Sequence, residues 1–301
     1  MDGNRKIKAS TLIKLMDIKT LTAGSIPVIL GSVYSLYTYN SINYFYLIAL
    51  FIAMVLVQSA VNMINDYYDF TRGSDLNEKE DEKALVNGEV TTNQLKYIII
   101  TYLLLALMIG ILIGSKTSYM ILVIALVGCI IGWVYTAGPV PISYTPFGEI
   151  ISGVTMGLGI TCTVVFIQSK TIDANMVLMA LPTTIFIGTI MLSNNLSDLV
   201  GDRLTGRKTL PVIIGIRNSE KLWITNIILL LIMTIILWCL KIYPFSVIIT
   251  TFLIFPYKAI RIFLSIEKGR STKGKVMGLI SKVGIKYHIG VIVGLIIAII
   301  F

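Results

Sequence analysis

Apolar runs of about twenty residues recur along the whole chain, and they limit the fold more than any other feature. Their approximate limits are Leu21 to Tyr39, Tyr44 to Asn65, Leu95 to Gly114, Tyr119 to Tyr135, Phe147 to Gln168, Met176 to Asn195, Leu222 to Leu240, Pro244 to Leu264 and Ile285 to Phe301. Each is long enough to cross a hydrocarbon layer of about 30 Å as a helix. In hydrocarbon every backbone N–H and C=O must be satisfied within its own segment, so such runs are read as helices. With 55% hydrophobic and 14% charged residues among 301, a soluble domain is excluded. The expected fold is an all-α, multi-span membrane protein with nine transmembrane helices, forming one membrane-embedded domain over residues 1–301.

Charge gives the orientation. With the N-terminus inside, 22 of the 25 Lys and Arg residues face the cytoplasm, and only Lys116, Lys170 and Lys241 lie outside. The net charge of +9 is therefore topological. A nucleic-acid partner is not expected, because no soluble face interleaves aromatic and basic residues. Residues 1–19 read as a cytoplasmic flank without a cleavage site, which suits a bacterial plasma membrane. Residues 66–94 and 196–221 read as cytoplasmic active-site loops.

Two acidic stretches stand at cytoplasmic span ends. In Asn65-Asp66-Tyr67-Tyr68-Asp69-Phe70-Thr71-Arg72-Gly73-Ser74-Asp75, the residues Asn62, Asn65, Asp66 and Asp69 fall at helical spacings and share a face. In Asn194-Asn195-Leu196-Ser197-Asp198-Leu199-Val200-Gly201-Asp202-Arg203, the spacing recurs through Asn194, Asn195, Asp198 and Asp202. The parallel suggests a weak internal repeat of two four-helix halves with a site between them. Carboxylates so crowded repel, and a hard divalent cation relieves them; Mg²⁺ is best held by a few carboxylates together with substrate phosphate. Arg72, Lys83, Arg203, Arg207 and Lys208 are candidates for the remaining phosphate oxygens, with lipid-headgroup anchoring as the alternative for each. The run Glu78, Glu80, Asp81 and Glu82 reads as a solvated face.

Between the motifs, Tyr135 to Glu149 (YTAGPVPISYTPFGE) is a stiff inner loop with three prolines and no Lys or Arg. Glu149 opens the fifth span and is a functional candidate, or a complement to the positive helix end. Tyr135 and Tyr144 are either site residues or interfacial belt tyrosines. His288, with no acidic neighbour, reads as structural. Cys129, Cys162 and Cys239 lie singly in apolar runs and read as buried packing residues.

These features together resemble the UbiA superfamily of intramembrane aromatic prenyltransferases, in its 1,4-dihydroxy-2-naphthoate polyprenyltransferase branch of menaquinone biosynthesis. The likeness rests on Lys19-Thr20-Leu21, the NDYYD form running to Gly73-Ser74-Asp75, the loop from Tyr135 to Glu149, and NNLSDLVGDRLTGRKTL before Pro211. Two places depart from the pattern: Asp17-Ile18 stands where an Arg-Pro pair is common, and Lys83 where arginine is common. The resemblance implies a nine-helix bundle and Mg²⁺-dependent transfer of a polyprenyl chain from its diphosphate to 1,4-dihydroxy-2-naphthoate. Carbon dioxide is lost and demethylmenaquinone is formed. It implies Asn65, Asp66, Asp69, Asp198 and Asp202 at the metal, with those four aspartates carrying the catalysis. Asn62, Asn194, Asn195, Arg72, Lys83, Arg203 and Lys208 would stand at the diphosphate, and Tyr135, Tyr144 and Glu149 toward the acceptor.

The nearest rival is a prenyltransferase of the same fold acting on a hydroxybenzoate- or homogentisate-type ring. A transporter of an anionic substrate is disfavoured because no interrupted helix pair is evident and the acids cluster at one edge. A non-catalytic assembly partner would be expected to lose motif carboxylates, and both sets are intact.

Overall fold

The computed structural model describes residues 7–72 and 83–301, with the side chain of Lys19 left out. Among them there are helices and turns and no strand. The helices are α1 (Ala9–Met16), α2 (Leu21–Tyr39), α3 (Tyr44–Thr71), α4 (Thr92–Lys116), α5 (Met120–Thr136), α6 (Gly148–Ser169), α7 (Ala174–Leu204), α8 (Leu210–Cys239), α9 (Phe245–Ile254), α10 (Lys258–Ser265) and α11 (Lys273–Ile300). Among the described residues seven helices are long and apolar enough to span a membrane, and the pair α9 and α10, bent by 41°, makes up to eight. Helix α5 is an apolar helix of 17 residues, shorter than those seven. The expected nine spans are thus reached only by counting both the bent pair and α5. The bend also supplies an interrupted helix pair that the apolar run from Pro244 to Leu264 concealed.

Local sequence accounts for the helix ends. Helix α4 starts on a capping box in which Gln94 N–H donates to Thr91 Oγ1 at 3.2 Å and Thr91 N–H donates to Gln94 Oε1 at 3.0 Å. Asp173 caps α7 by accepting from Met176 N–H at 2.9 Å. Helix α7 ends in a Schellman turn: Gly206 takes φ +75°, Gly206 N–H reaches Arg203 O, and Arg207 N–H reaches Asp202 O at 2.9 Å. Pro211 then opens α8 at a position where no amide donor is needed.

The chain divides into two compact units. The first takes in the described residues up to Ser25 and Ile48–Pro141; the second takes in Ile26–Leu47 and Ile142–Phe301. The first has a core of Leu15, Met63, Ile64, Leu85, Leu95 and Ile99. The second is built around Phe186, Leu196, Trp223, Phe263, Val276 and Tyr287, with Trp223 stacked on Phe263 at 3.9 Å. Within it, α6 and α7 approach at backbone distance: a Cβ on Gly157 would lie 2.5 Å from Thr184 Cα, and one on Gly153 would lie 2.6 Å from Thr184 O. Only glycine permits that approach. Both glycines belong to a π-helical segment, Gly153–Gly159.

Candidate functional site

Both acidic motifs lie on helices for most of their length, because α3 continues to Thr71 and α7 to Leu204. The ranges 66–94 and 196–221 are therefore largely helical at their motif ends, and α8 begins at Leu210. Gly73, Ser74, Asp75 and the acids Glu78, Glu80, Asp81 and Glu82 fall outside the described residues.

In the first unit, Asn65 is exposed, while Asp66 and Asp69 are half-buried on α3. Lys83 Nζ donates to Asp66 Oδ1 at 2.6 Å, so these candidate phosphate and metal groups contact each other. Asn62 faces inward instead, its Nδ2 donating to Met16 O at 3.0 Å and to Thr20 Oγ1 at 2.8 Å. Its amide ties α3 to the chain entering α2. Arg72 donates to the carbonyls of Thr136 at 3.0 Å and Gly138 at 3.1 Å, and its guanidinium lies 5.0 Å from the Tyr68 ring. It pins the end of α5 and the start of the inner loop.

The second unit holds its motif more deeply. Asp202, only 5% exposed, accepts from Thr209 Oγ1 at 3.1 Å and lies 3.7 Å from Arg207 Nη1. The Schellman turn at Gly206 brings both partners back against the helix end. Asp198 Oδ2 accepts from Lys273 Nζ at 2.5 Å, whereas its buried Oδ1 has no hydrogen-bond partner. Asn195 is buried and donates to Glu149 Oε1 at 2.9 Å; Asn194 Nδ2 stands 3.5 Å from Asn195 Oδ1. Tyr144 also belongs here: Arg207 lies over its ring at 4.4 Å, and Lys208 N–H donates to its carbonyl at 2.8 Å. Arg203 and Lys208 are exposed. Tyr135, near the end of α5, is half-buried in the first unit.

Lys273 was missed in the sequence. It stands among eight basic residues from Lys258 to Lys286 that positive-inside counting explains equally well, and nothing local singles it out. His288 is structural as expected: it is buried, with Nε2 3.1 Å from Thr183 Oγ1 and Nδ1 2.8 Å from Gly284 O. The cysteines correct the expectation of burial. Cys129 and Cys239 are exposed and Cys162 is intermediate, since a spanning helix is apolar on its outer face as well as its packed one.

Among the described residues no three His, Cys, Asp or Glu side chains converge as a metal cage. The donors present are carboxylate oxygens, and Asp198 Oδ1 is buried and unsatisfied. This fits Mg²⁺, which takes one or two protein carboxylates and completes its shell with water and substrate phosphate.

The sequence matches the UbiA prenyltransferase family over residues 25–279. The chain belongs to that family. Among curated proteins it is 36% identical over 208 residues to a Bacillus subtilis 1,4-dihydroxy-2-naphthoate octaprenyltransferase, covering 67% of this chain and 65% of the relative. The chain thus matches just under two thirds of that relative's length. It is 25% identical over 234 residues to the Mycobacterium leprae protein of the same name, covering 73% and 76%. Among solved structures, a UbiA homologue from Archaeoglobus fulgidus bound to DMAPP and Mg²⁺ superposes with a TM-score of 0.65 at 19% identity, covering 94% of this chain and 99% of that one. An apo UbiA homologue from Aeropyrum pernix K1 gives 0.68 at 16% identity, covering 90% and 97%. At such identities these structures speak for the fold alone.

Proposed function

We propose that this UbiA-family protein transfers a polyprenyl chain from its diphosphate to 1,4-dihydroxy-2-naphthoate in a bacterial plasma membrane. In this reading it has nine spans, with the N-terminus and both acidic motifs on the cytoplasmic side. The observation that carries the reading is the second motif, where the buried Asp202 lies beside Arg207 and the half-buried Asp198, one of its oxygens buried and unsatisfied, lies beside Lys273. Acids that bind cations next to bases that bind phosphate suit a metal-diphosphate ligand. Asp66, Asp69, Asp198 and Asp202, with Asn65, would hold Mg²⁺, which when bound supplies charge neutralisation for the leaving diphosphate. Lys83, Arg203 and Lys208, with Asn194, are assigned to phosphate oxygens. Arg72 and Asn62 are assigned to bracing, because their donors are engaged with backbone and side-chain oxygens.

The reaction breaks the allylic C–O bond and leaves electron deficiency on the terminal carbon of the chain. The electron-rich ring attacks through its carboxylated carbon, a C–C bond forms, and departure of carbon dioxide returns the electron pair to the ring. The product is demethylmenaquinone at the quinol level. The bases hold the diphosphate as charge develops, and the apolar helices exclude water that would capture the allylic centre.

The homologue names support the naphthoate acceptor. The deciding experiment offers membranes containing the protein an all-trans polyprenyl diphosphate with either dihydroxynaphthoate or 4-hydroxybenzoate. Prenylation of dihydroxynaphthoate, abolished by chelating Mg²⁺, is expected. Prenylation of hydroxybenzoate alone would overturn the acceptor assignment and leave the chemistry intact.

A further inference from the structure

Glu149 is a buried carboxyl with one of its two oxygens lacking a hydrogen-bond partner. It is 5% exposed, Oε1 accepts from Asn195 Nδ2 at 2.9 Å, and Oε2 is buried without a hydrogen-bond partner. No Lys or Arg among the described residues pairs with it. Burial without a partner is costly for a carboxyl, so the position is unfavourable unless something donates to it.

The scaffold keeps this oxygen in place. A Cβ on Gly188 of α7 would lie 3.1 Å from the backbone oxygen of Glu149, so the first turn of α6 is pressed against α7. The contacts of Gly153 and Gly157 with Thr184 continue that seam. The backbone that carries the carboxyl is therefore held against α7, the Asn195 hydrogen bond ties its Oε1, and the π-helical segment begins immediately beyond its own turn. On α7, Asn195 shares one helical face with Asp198 and Asp202, so the Glu149 carboxyl is bonded to the motif face of that helix.

Resting on the prenyl-transfer reading above, we infer that Glu149 Oε2 accepts a hydrogen bond from a ring hydroxyl of the aromatic acceptor, with Asn195 as the positioning residue for the carboxyl. A carboxyl oxygen needs a donor. Arg207 and Lys208, at the end of the same helix, disfavour a cationic ligand and favour an acidic ring that also carries O–H groups. A hydroxyl donating to a carboxylate releases electron density into its ring, which strengthens attack on the allylic carbon. Glu149 is thereby a specificity determinant for hydroxylated rings and touches the acceptor rather than the diphosphate.

The test is binding to the purified full chain in detergent, read from the fluorescence of 1-hydroxy-2-naphthoate and of its 1-methoxy ether. The wild type is expected to prefer the hydroxy probe by roughly tenfold. Glu149→Gln, which keeps the contact to Asn195 possible, should collapse the preference, and Asn195→Ala should reduce it. Geranyl diphosphate affinity should stay unchanged in Glu149→Gln. The inference is overturned if the wild type binds neither probe or shows no preference, a comparison that needs no variant, or if Glu149→Gln retains the preference. A wild type that discriminates the probes but prenylates no ring would defeat the prenyl-transfer reading and leave the hydroxyl site standing.

Discussion

The two acidic motifs share a spacing but not an environment. On α3, Asn65 is exposed, Asp66 is a quarter exposed at its side chain, and its ammonium partner comes from Lys83, beyond the residues that follow the helix. On α7, Asn195, Ser197 and Asp202 are buried, and the partners of Asp202 arrive through a Schellman turn only a few residues away. The first motif is the more exposed, and the cation on Asp66 lies 17 positions along the chain. In the second, Asp202 is preorganised by local backbone geometry, while Asp198 takes its cation from 75 positions away. Equal spacing therefore does not imply equal roles, and substitutions should separate binding from architecture.

The largest expected difference is in turnover. Asp198→Ala removes the carboxylate with the unsatisfied buried oxygen, and kcat/KM should fall by roughly 10³, as when a preorganised electrostatic group is deleted. Asp66→Ala removes a more exposed carboxylate and keeps the positive charge of Lys83, and should cost less, on the order of 10-fold to 100-fold. Initial rates of prenylated product in membranes, at equal protein level, read both. Equal losses would break the comparison, and full activity in Asp198→Ala would remove this residue from the site.

Stability should separate the motifs next. Asp202 is 6% exposed at its side chain and Arg207 20%. Asp202→Ala removes the carboxylate that both Arg207 and Thr209 engage, so unfolding in detergent should show a loss of about 3 kcal/mol. Asp66→Ala breaks a more exposed pair and should cost no more than about 1 kcal/mol. A similar melting temperature for both variants would mean that the Gly206 turn stands without its acid.

Much of this was legible in the chain because hydrocarbon leaves few structural options. Long apolar runs had to be helices, and Asn62, Asn65, Asp66 and Asp69 do lie on one helix, as do Asn194 to Asp202. Periodicity could not say which of those side chains turn inward, so the engagement of Asn62 with Met16 and Thr20 was invisible. Nor could it show that the run from Pro244 to Leu264 bends, since hydropathy is blind to a break at Phe255–Tyr257 that remains apolar. Lys273 escaped for a different reason: its contact to Asp198 joins residues 75 positions apart, and a basic residue at a helix end carries no local mark of pairing. The exposed cysteines show the converse, because an apolar neighbourhood in such a chain does not imply a packed one.

The same backbone device occurs once more in the first unit, with opposite charge, and this gives the smallest expected effect. Gly88 takes φ +64°, Gly88 N–H donates to Leu85 O at 3.1 Å and Glu89 N–H to Ala84 O at 2.9 Å, repeating the hydrogen bonds around Gly206. Where the second unit's turn delivers Arg207, this one delivers Glu89, which accepts from Lys14 at 2.8 Å and Thr11 at 2.9 Å and so fastens α1. The Lys14 hydrogen bond, then those from Thr11 and Asn87, holds the Glu89 carboxyl below the usual glutamate range. A depressed carboxyl contributes stability that is fully present above its unfolded value of about 4.3 and is lost as pH falls through the lower folded value. Amide exchange in α1 should therefore be pH-independent, after correction for intrinsic rates, from neutrality down to that window and should quicken below it. Glu89→Gln should show faster α1 exchange at neutral pH and no acid step. A step that persists in Glu89→Gln would assign it to another group, and the turn at Gly88 would then fasten α1 by backbone geometry and packing alone.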